Sequence, residues 1–215
     1  MKARPIIFNG EMVRALLNGR KTQTRRVIKP QPKLIMDAEH EGHSMVPSID
    51  GVNELHPKEC PFGYKNDLLW VRETHYRFTG CSCNGKPWSG FVESPDRDQY
   101  KAIAYDGNDI IGTAYMVAAC LKIPAIHMPR WASRITLKIT RVRIERLQDI
   151  SSDDAAAEGD WIINEHPAIT FRRTWDSINA KRGYGWDKNP WVWVIEFEVI
   201  KKNVDEVLKE CSQHA

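Results

Sequence analysis

The 215-residue chain lacks any apolar run long enough to cross a bilayer, and its formal net charge at neutral pH is only +3. The first absence excludes a transmembrane helix, which needs about 20 consecutive apolar residues. The second falls short of the strongly basic character of a dedicated nucleic-acid-binding protein. The N-terminus also lacks the apolar segment and cleavage site of a secretory signal. We therefore expect a cytoplasmic protein that does not associate with membranes.

Cysteine is scarce, and its spacing does not suit metal binding. The five cysteines are Cys60, Cys81, Cys83, Cys120 and Cys211. An odd number without an export signal favours reduced thiols. The closest pair is a C-x-C pair, which lacks the two- to four-residue spacing of zinc sites, and no second pair follows. We expect neither a metal nor another cofactor.

The modest net charge hides two basic stretches. Residues 14–29 contain six lysines and arginines and no acidic residue, and residues 130–146 contain six more with Glu145 as the one acidic residue. Such stretches form either ordinary solvated faces or surfaces that contact phosphate. The sequence leaves both explanations open.

Apolar periodicity and turn residues predict several separated strands and a few short helices. Asn9 is a suitable N-cap for a helix that ends at Gly19, and Ser151 is a suitable N-cap for a second helix that ends at Gly159. A third helix, which ends at Gly183, is expected around Phe171, Trp175 and Ile178, and a fourth at 204–211. Strands are expected at 5–8, 68–71, 134–144 and 191–199, with a bulge near 140–141. The last of these strands alternates, with its odd-numbered residues on one face.

Two long stretches, 33–66 and 77–130, are rich in glycine, proline and polar residues and show no sustained period. We interpret them as loop insertions in a single domain that covers residues 1–215. The expected fold class is α+β, a small mixed β-barrel with flanking short helices. Loops of this length are often functional, so the insertions could also bind a partner protein.

The segment from Gly19 to Arg26 concentrates reactive side chains. Lys21 and Thr24 offer a base and a nucleophile, because a threonine hydroxyl attacks a carbonyl only after a base takes its proton. Glu73, at the end of an apolar strand, could hold the ammonium or protonate a departing amine. Together these residues would suffice for amide hydrolysis. The alternative is that Lys21 and Glu73 form a structural ion pair.

The neighbouring cations suggest binding to phosphate or to a nucleotide. Guanidinium groups bind phosphate oxygens in pairs and stack on bases. The competing interpretation is that the arginines form salt bridges to Asp67, Glu73 or Glu196. The candidate ligand-binding residues are Arg20, Arg25, Arg26, Arg72 and His75.

In this order, the motifs resemble the ASCH domain of the PUA-like superfamily. The resemblance rests on Gly19-x-Lys21-x-x-Thr24-x-Arg26, on Asp67-x-Leu69-x-Val71-x-Glu73, and on the closing strand 191–197. It covers about residues 5–28, 66–76 and 132–200. The segment Asn189-Pro190-Trp191-Val192-Trp193-Val194 is similar in style to phage and prophage proteins with an ASCH-like core.

The resemblance implies a PUA-like barrel and a function on nucleosides or nucleic acids. Bacterial amidohydrolases that deacetylate 4-acetylcytidine have a threonine at the position of Thr24, and there the lysine acts as base, the threonine as nucleophile and a glutamate as acid. Transferred by motif position, these roles fall on Lys21, Thr24 and Glu73. The alternatives are a ribonuclease on the same fold, a non-catalytic RNA- or DNA-binding module, and a phage protein that binds a host partner. The oligomeric state is left open.

Overall fold

The computed structural model describes residues 1–36, 45–50, 54–78, 103–105, 120–159 and 165–213. These residues form a mixed α+β structure, which confirms the expected class. Their contacts divide them into two compact units. The first unit takes its described residues from Met1–Gly19, Asp67–Lys138 and Val199–Ala215, and the second from Arg20–Asn66 and Ile139–Glu198. The expectation of a single domain stays a prediction.

The described part contains ten strands and four α-helices. The strands are β1 (Ala3–Ile7), β2 (Gln23–Val27), β3 (Lys33–Met36), β4 (Met45–Ser48), β5 (Leu68–Arg72), β6 (His75–Phe78), β7 (Ile103–Tyr105), β8 (Cys120–Ile123), β9 (Thr136–Arg146) and β10 (Trp191–Ile200). The helices are α1 (Gly10–Leu17), α2 (Ser152–Ala157), α3 (Pro167–Asn179) and α4 (Val204–Gln213).

The main sheet has five strands in the order β1-β5-β9-β10-β2. It is mixed, because β1 runs parallel to β5 whereas β5 and β9, and likewise β10 and β2, pair antiparallel. Two smaller antiparallel sheets have the orders β3-β4 and β7-β6-β8. Both smaller sheets include strands from the stretches that the sequence analysis interpreted as irregular loops, so those stretches carry regular structure.

In the first unit, side-chain hydrogen bonds hold the first residues of the chain in place. The Asn9 side chain accepts a hydrogen bond from the Met12 amide at 2.8 Å, which caps α1 as predicted. Asp67 accepts hydrogen bonds from the Lys2 amide and the Arg4 guanidinium, and so ties β1 to the start of β5. Helix α4 covers this region through an apolar cluster of Leu68, Trp70, Val204 and Val207.

In the second unit, helices α2 and α3 pack against one face of β10. Phe171 and Trp175 of α3 lie in a buried cluster with Val192 and Val194 of β10. The sequence analysis expected alternation in this strand, with Trp193 and its odd-numbered neighbours on one face. Val192 and Val194 are nevertheless fully buried, because the helices cover the second face.

Two further positions can be compared with the sequence expectations: Ile178 of α3 differs from them, and the change of phase in β9 agrees with them. Ile178, expected on the apolar face of α3, is 37% exposed. In β9 the buried positions shift from the odd-numbered Leu137 and Ile139 to the even-numbered Val142, at the place where the sequence pattern changes phase. Arg141, between these positions, is exposed.

Candidate functional site

Three side chains of the basic segment reach helix α2 and its C-terminus. The Lys21 ammonium donates to the carbonyl oxygen of Glu158 at 2.6 Å and to its Oε2 at 3.0 Å. The Gln23 amide donates to the carbonyl oxygen of Asp154 at 2.7 Å. Arg25 donates to Glu158 Oε1 at 3.2 Å. Alternate residues of a strand share a face, so Lys21, Gln23 and Arg25 act as a clamp on α2.

The carboxylate of Glu158 joins the two buried cations. The Lys21 and Arg25 side chains are fully buried, and the Glu158 side chain is only 5% exposed. One carboxylate oxygen binds the lysine and the other binds the arginine. This arrangement satisfies two charges that would otherwise be costly to bury.

Arg25 belongs to a wider network of charges in the same unit. It also binds Asp154 at 2.9 Å and Glu145 at 3.2 Å. Arg143 bridges the same two carboxylates, at 3.1 and 2.6 Å respectively, and contacts Glu196. We call the seven residues of this network the charge cluster: Lys21, Arg25, Arg143, Glu145, Asp154, Glu158 and Glu196.

Thr24 and Arg26 alternate with the clamp residues along β2. Thr24 is 3% exposed and lies opposite Ile195 of β10. Desolvation lowers the pKa of Arg26 to about 10, and the nearby Glu158 carboxylate opposes this shift. Arg26 therefore remains a cation at neutral pH.

Glu73 lies in the first unit, directly after β5, and is 1% exposed. Arg134 binds it with two parallel hydrogen bonds, Nε to Oε1 at 2.8 Å and Nη2 to Oε2 at 3.0 Å. Paired bonds of this kind are among the stronger polar contacts in proteins. The Glu73 amide points at the sulfur of Met128, at 3.3 Å.

His75 and Arg72 lie beside Glu73 in the same unit. The Nδ1 atom of His75 is 3.3 Å from the carbonyl oxygen of Glu73. Burial lowers the pKa of His75, the contact with the Glu73 carbonyl opposes this, and the charge of His127 lowers it further. Arg72 covers the Trp70 ring and donates to the carbonyl oxygens of Met128 and Ile126.

The predicted site residues thus form two groups and one exposed cation. Lys21 and Arg25 meet at Glu158 in the second unit, with Thr24 and Arg26 on the same strand. Arg72, Glu73 and His75 lie together in the first unit. Arg20 is exposed at the start of the second unit. The convergence of Lys21, Thr24 and Glu73 stays a prediction.

Sequence reasoning missed the acidic partners of the clamp. Glu158 lies at the C-terminus of α2, where the helix dipole disfavours a carboxylate. That unfavourable position is a signal that a cation elsewhere binds the side chain. Arg134, the partner of Glu73, carried no comparable signal beyond its place in the second basic stretch.

The structure adds three observations on metals, cysteines and membranes. Within the described ranges, no group of three or more His, Cys, Asp or Glu side chains could hold a metal ion. Cys60 is buried and Cys211 is exposed, whereas Cys81 and Cys83 lie outside the described residues. In the part of the chain that the structure describes, no helix has the length and apolar character needed to span a bilayer.

A search of family models, of curated proteins and of solved structures found no match to this chain.

Proposed function

We propose that this chain is an ASCH-type protein with a PUA-like barrel that binds a nucleoside or a nucleic acid. The contact would be made by the β2 positions that alternate with the clamp, Thr24 and Arg26, together with the exposed Arg20. The observation that carries this proposal is the alternation of side chains along β2. The clamp residues face α2, whereas Thr24 and the desolvated guanidinium of Arg26 lie on the opposite face of the strand.

The chemistry of these positions suits a nucleoside. Arg26 is a largely desolvated guanidinium that keeps its charge at neutral pH, and such a group pairs strongly with phosphate or carbonyl oxygens. Thr24 supplies a hydroxyl that can donate or accept a hydrogen bond. Desolvated ionisable groups are costly, and they concentrate at sites where a protein binds or reacts.

A second candidate is hydrolysis of the acyl amide of a modified cytidine. The observation that favours it is the burial of Thr24, which is 3% exposed and lies two residues from the desolvated Arg26. The Thr24 hydroxyl oxygen would attack the amide carbon, its proton would pass to a base, and the amine would leave with a proton. Water would then cleave the ester and restore the hydroxyl.

Lys21 is the predicted base, and its surroundings set a condition on that role. Its ammonium donates hydrogen bonds to Glu158, so it must lose a proton before it can accept one from Thr24. The Glu158 carboxylate, 3.0 Å away, could take that proton. The role of Glu73 as the acid stays a prediction.

The test is mass-spectrometric turnover on a panel of acylated nucleosides, with calorimetric measurement of nucleoside affinity. For hydrolysis, Thr24→Val should abolish release of the acyl group and leave affinity nearly unchanged. Thr22→Val is a matched control, because Thr22 lies two residues away and is exposed. Equal turnover by wild type and Thr24→Val would contradict hydrolysis at Thr24.

Binding without turnover would support the first proposal alone. In that case Arg26→Lys should weaken nucleoside affinity by about tenfold, the equivalent of one hydrogen bond to a charged group. The substitution keeps the positive charge but removes the planar guanidinium group with its paired N–H donors. If wild type binds no nucleoside, nucleotide or oligonucleotide, the proposed function is wrong.

A further inference from the structure

A second region of the structure combines aromatic rings with cations. Tyr184, Trp186 and Trp191 are half-buried, and each has a cation over its ring. Lys29 Nζ lies 5.0 Å from the centroid of Tyr184, the Arg146 guanidinium carbon 4.4 Å from Trp191, and the Arg172 guanidinium carbon 5.8 Å from Trp186. We call these six residues the aromatic–cation surface.

Hydrogen bonds join the parts of this surface. The Trp191 amide donates to the Gln31 side chain at 2.8 Å, and Gln31 in turn donates to the carbonyl oxygen of Ile28, next to Lys29. Gln148 donates to the carbonyl oxygen of Trp186 at 2.9 Å. These bonds connect the chain segments that carry the rings within the second unit.

The backbone that carries the rings is held in place. The Trp175 indole donates to the carbonyl oxygen of Tyr184 at 2.8 Å, and Asp176 accepts from the Trp186 amide at 2.6 Å. A Cβ at Gly185 would lie only 3.3 Å from the Asp176 carboxylate, so glycine allows this close approach. A preformed surface loses little conformational entropy when it binds.

The charge beside the rings is positive. Lys181, Arg182 and Lys188 are exposed, and no ion pair to them is found among the described residues. The single acidic residue between positions 180 and 191 is Asp187, and Arg172 binds it at 3.2 Å. The surface thus offers cations next to aromatic rings and little acidic charge of its own.

We propose that the aromatic–cation surface binds single-stranded nucleic acid. Lysines and arginines contact the phosphates, while bases stack on the rings and guanidinium planes. A single strand is favoured over a duplex because a base must leave its own stack to reach a protein ring. This surface goes beyond the proposed site at Thr24 and Arg26, and it shares no residue with that site.

The experiment is fluorescence anisotropy with labelled 12-residue oligouridylate and oligothymidylate, titrated at several salt concentrations. The double variant Lys181→Glu, Arg182→Glu should bind at least tenfold more weakly. The slope of log affinity against log salt should become shallower by about 1.4, because each single-strand phosphate contact contributes about 0.7. The matched control is Lys201→Glu, Lys209→Glu, which makes the same charge change at exposed lysines of the first unit and should bind like wild type.

Tyr184→Leu tests stacking separately from charge. It keeps an apolar side chain but removes the ring, and affinity should fall by about 5- to 160-fold, the range expected for one stacked base. Circular dichroism of each variant confirms that it folds. The proposal is overturned if wild type binds neither oligonucleotide, if the control pair weakens binding as much as the test pair, or if a duplex of equal length binds more tightly than both.

The same assay separates this proposal from the proposed function. The double variant Lys181→Glu, Arg182→Glu should leave nucleoside affinity and turnover unchanged, because these residues lie outside the proposed site at Thr24 and Arg26. If Thr24→Val or Arg26→Lys weakens oligonucleotide binding while the double variant does not, the strand lies at β2 and the assignment to the aromatic–cation surface is overturned.

Discussion

Glu158 is the residue whose loss of charge should lower the stability of the second unit most. It is the acceptor for the buried Lys21 ammonium and for one side of the buried Arg25 guanidinium. Glu158→Gln keeps the size of the side chain and removes its charge. The variant therefore tests whether the charge itself holds the clamp on α2.

The expected loss follows from the contacts. Breaking a buried ion pair by removing one partner costs about 3–5 kcal/mol, because the other charge stays buried without compensation. Here the carbonyl oxygen of Glu158 still accepts from Lys21, and Arg25 keeps Asp154 and Glu145. The loss should therefore lie near the lower limit, about 3 kcal/mol. This is a large share of the 5–15 kcal/mol typical of folded domains.

The assay is equilibrium unfolding in urea, followed by tryptophan fluorescence. Glu210→Gln is the matched control, since its pair with Lys202 has side chains that are 49% and 52% exposed, and the urea midpoint should not change. In a double-mutant cycle, Lys21→Met with Glu158→Gln should be clearly more stable than the sum of the single losses predicts. A Glu158→Gln variant as stable as the control, or strictly additive losses, would refute the reasoning.

Two other contacts lead to predictions on stability. Burial holds the pKa of His75 below its ordinary value of 6.5, so the unfolded chain binds more protons, and stability should fall as the pH drops below about 6.5. Urea midpoints measured across this range should fall less steeply for His75→Gln, while the exposed His56→Gln should follow wild type. Asn203 donates to three carbonyl oxygens at 2.7–3.1 Å. Asn203→Ala should cost about 2–3 kcal/mol of unfolding free energy, clearly more than Asn179→Ala, which loses a single 3.2 Å bond; equal losses would contradict this.

Local features of the fold could be predicted from the sequence. The caps at Asn9 and Ser151 depend on a side chain and an amide three residues away, so short spacing is enough to find them. Gly183 ends the helical region that follows Phe171, with a φ of +84°, a conformation that favours glycine. These elements were predicted correctly because their causes lie within one or two turns of the chain.

Features that depend on distant packing could not be predicted in the same way. The burial of Val192 and Val194 requires helix α3 on the second face of β10, which an alternating pattern does not reveal. Ile178 is apolar and lies in phase with Phe171 and Trp175, yet it is exposed because the cluster does not extend that far along α3. Sequence periodicity indicates which residues share a face, but the partner decides which face is buried.

The partners of the candidate site residues also depend on distant packing, so they could not be predicted from the sequence. The basic segment could be identified from its composition, but the expected partners of its arginines were Asp67, Glu73 and Glu196. The structure pairs Asp67 with Arg4 and Glu73 with Arg134. The partner of Lys21 is more than one hundred residues away, in a helix whose position depends on the sheet.

The strand geometry of the basic segment matters more for function than its composition. Lys21 and Thr24 are three residues apart, a spacing that brings side chains together on a helix but places them on opposite faces of a strand. The β pairing continues back to Thr22, whose carbonyl oxygen accepts from the Phe197 amide at 2.9 Å. Lys21, Gln23 and Arg25 all reach α2, so their alternation extends through this pairing. A ligand at Thr24 would therefore meet Arg26 first, and the Lys21 amine could join it only after leaving the face that binds Glu158.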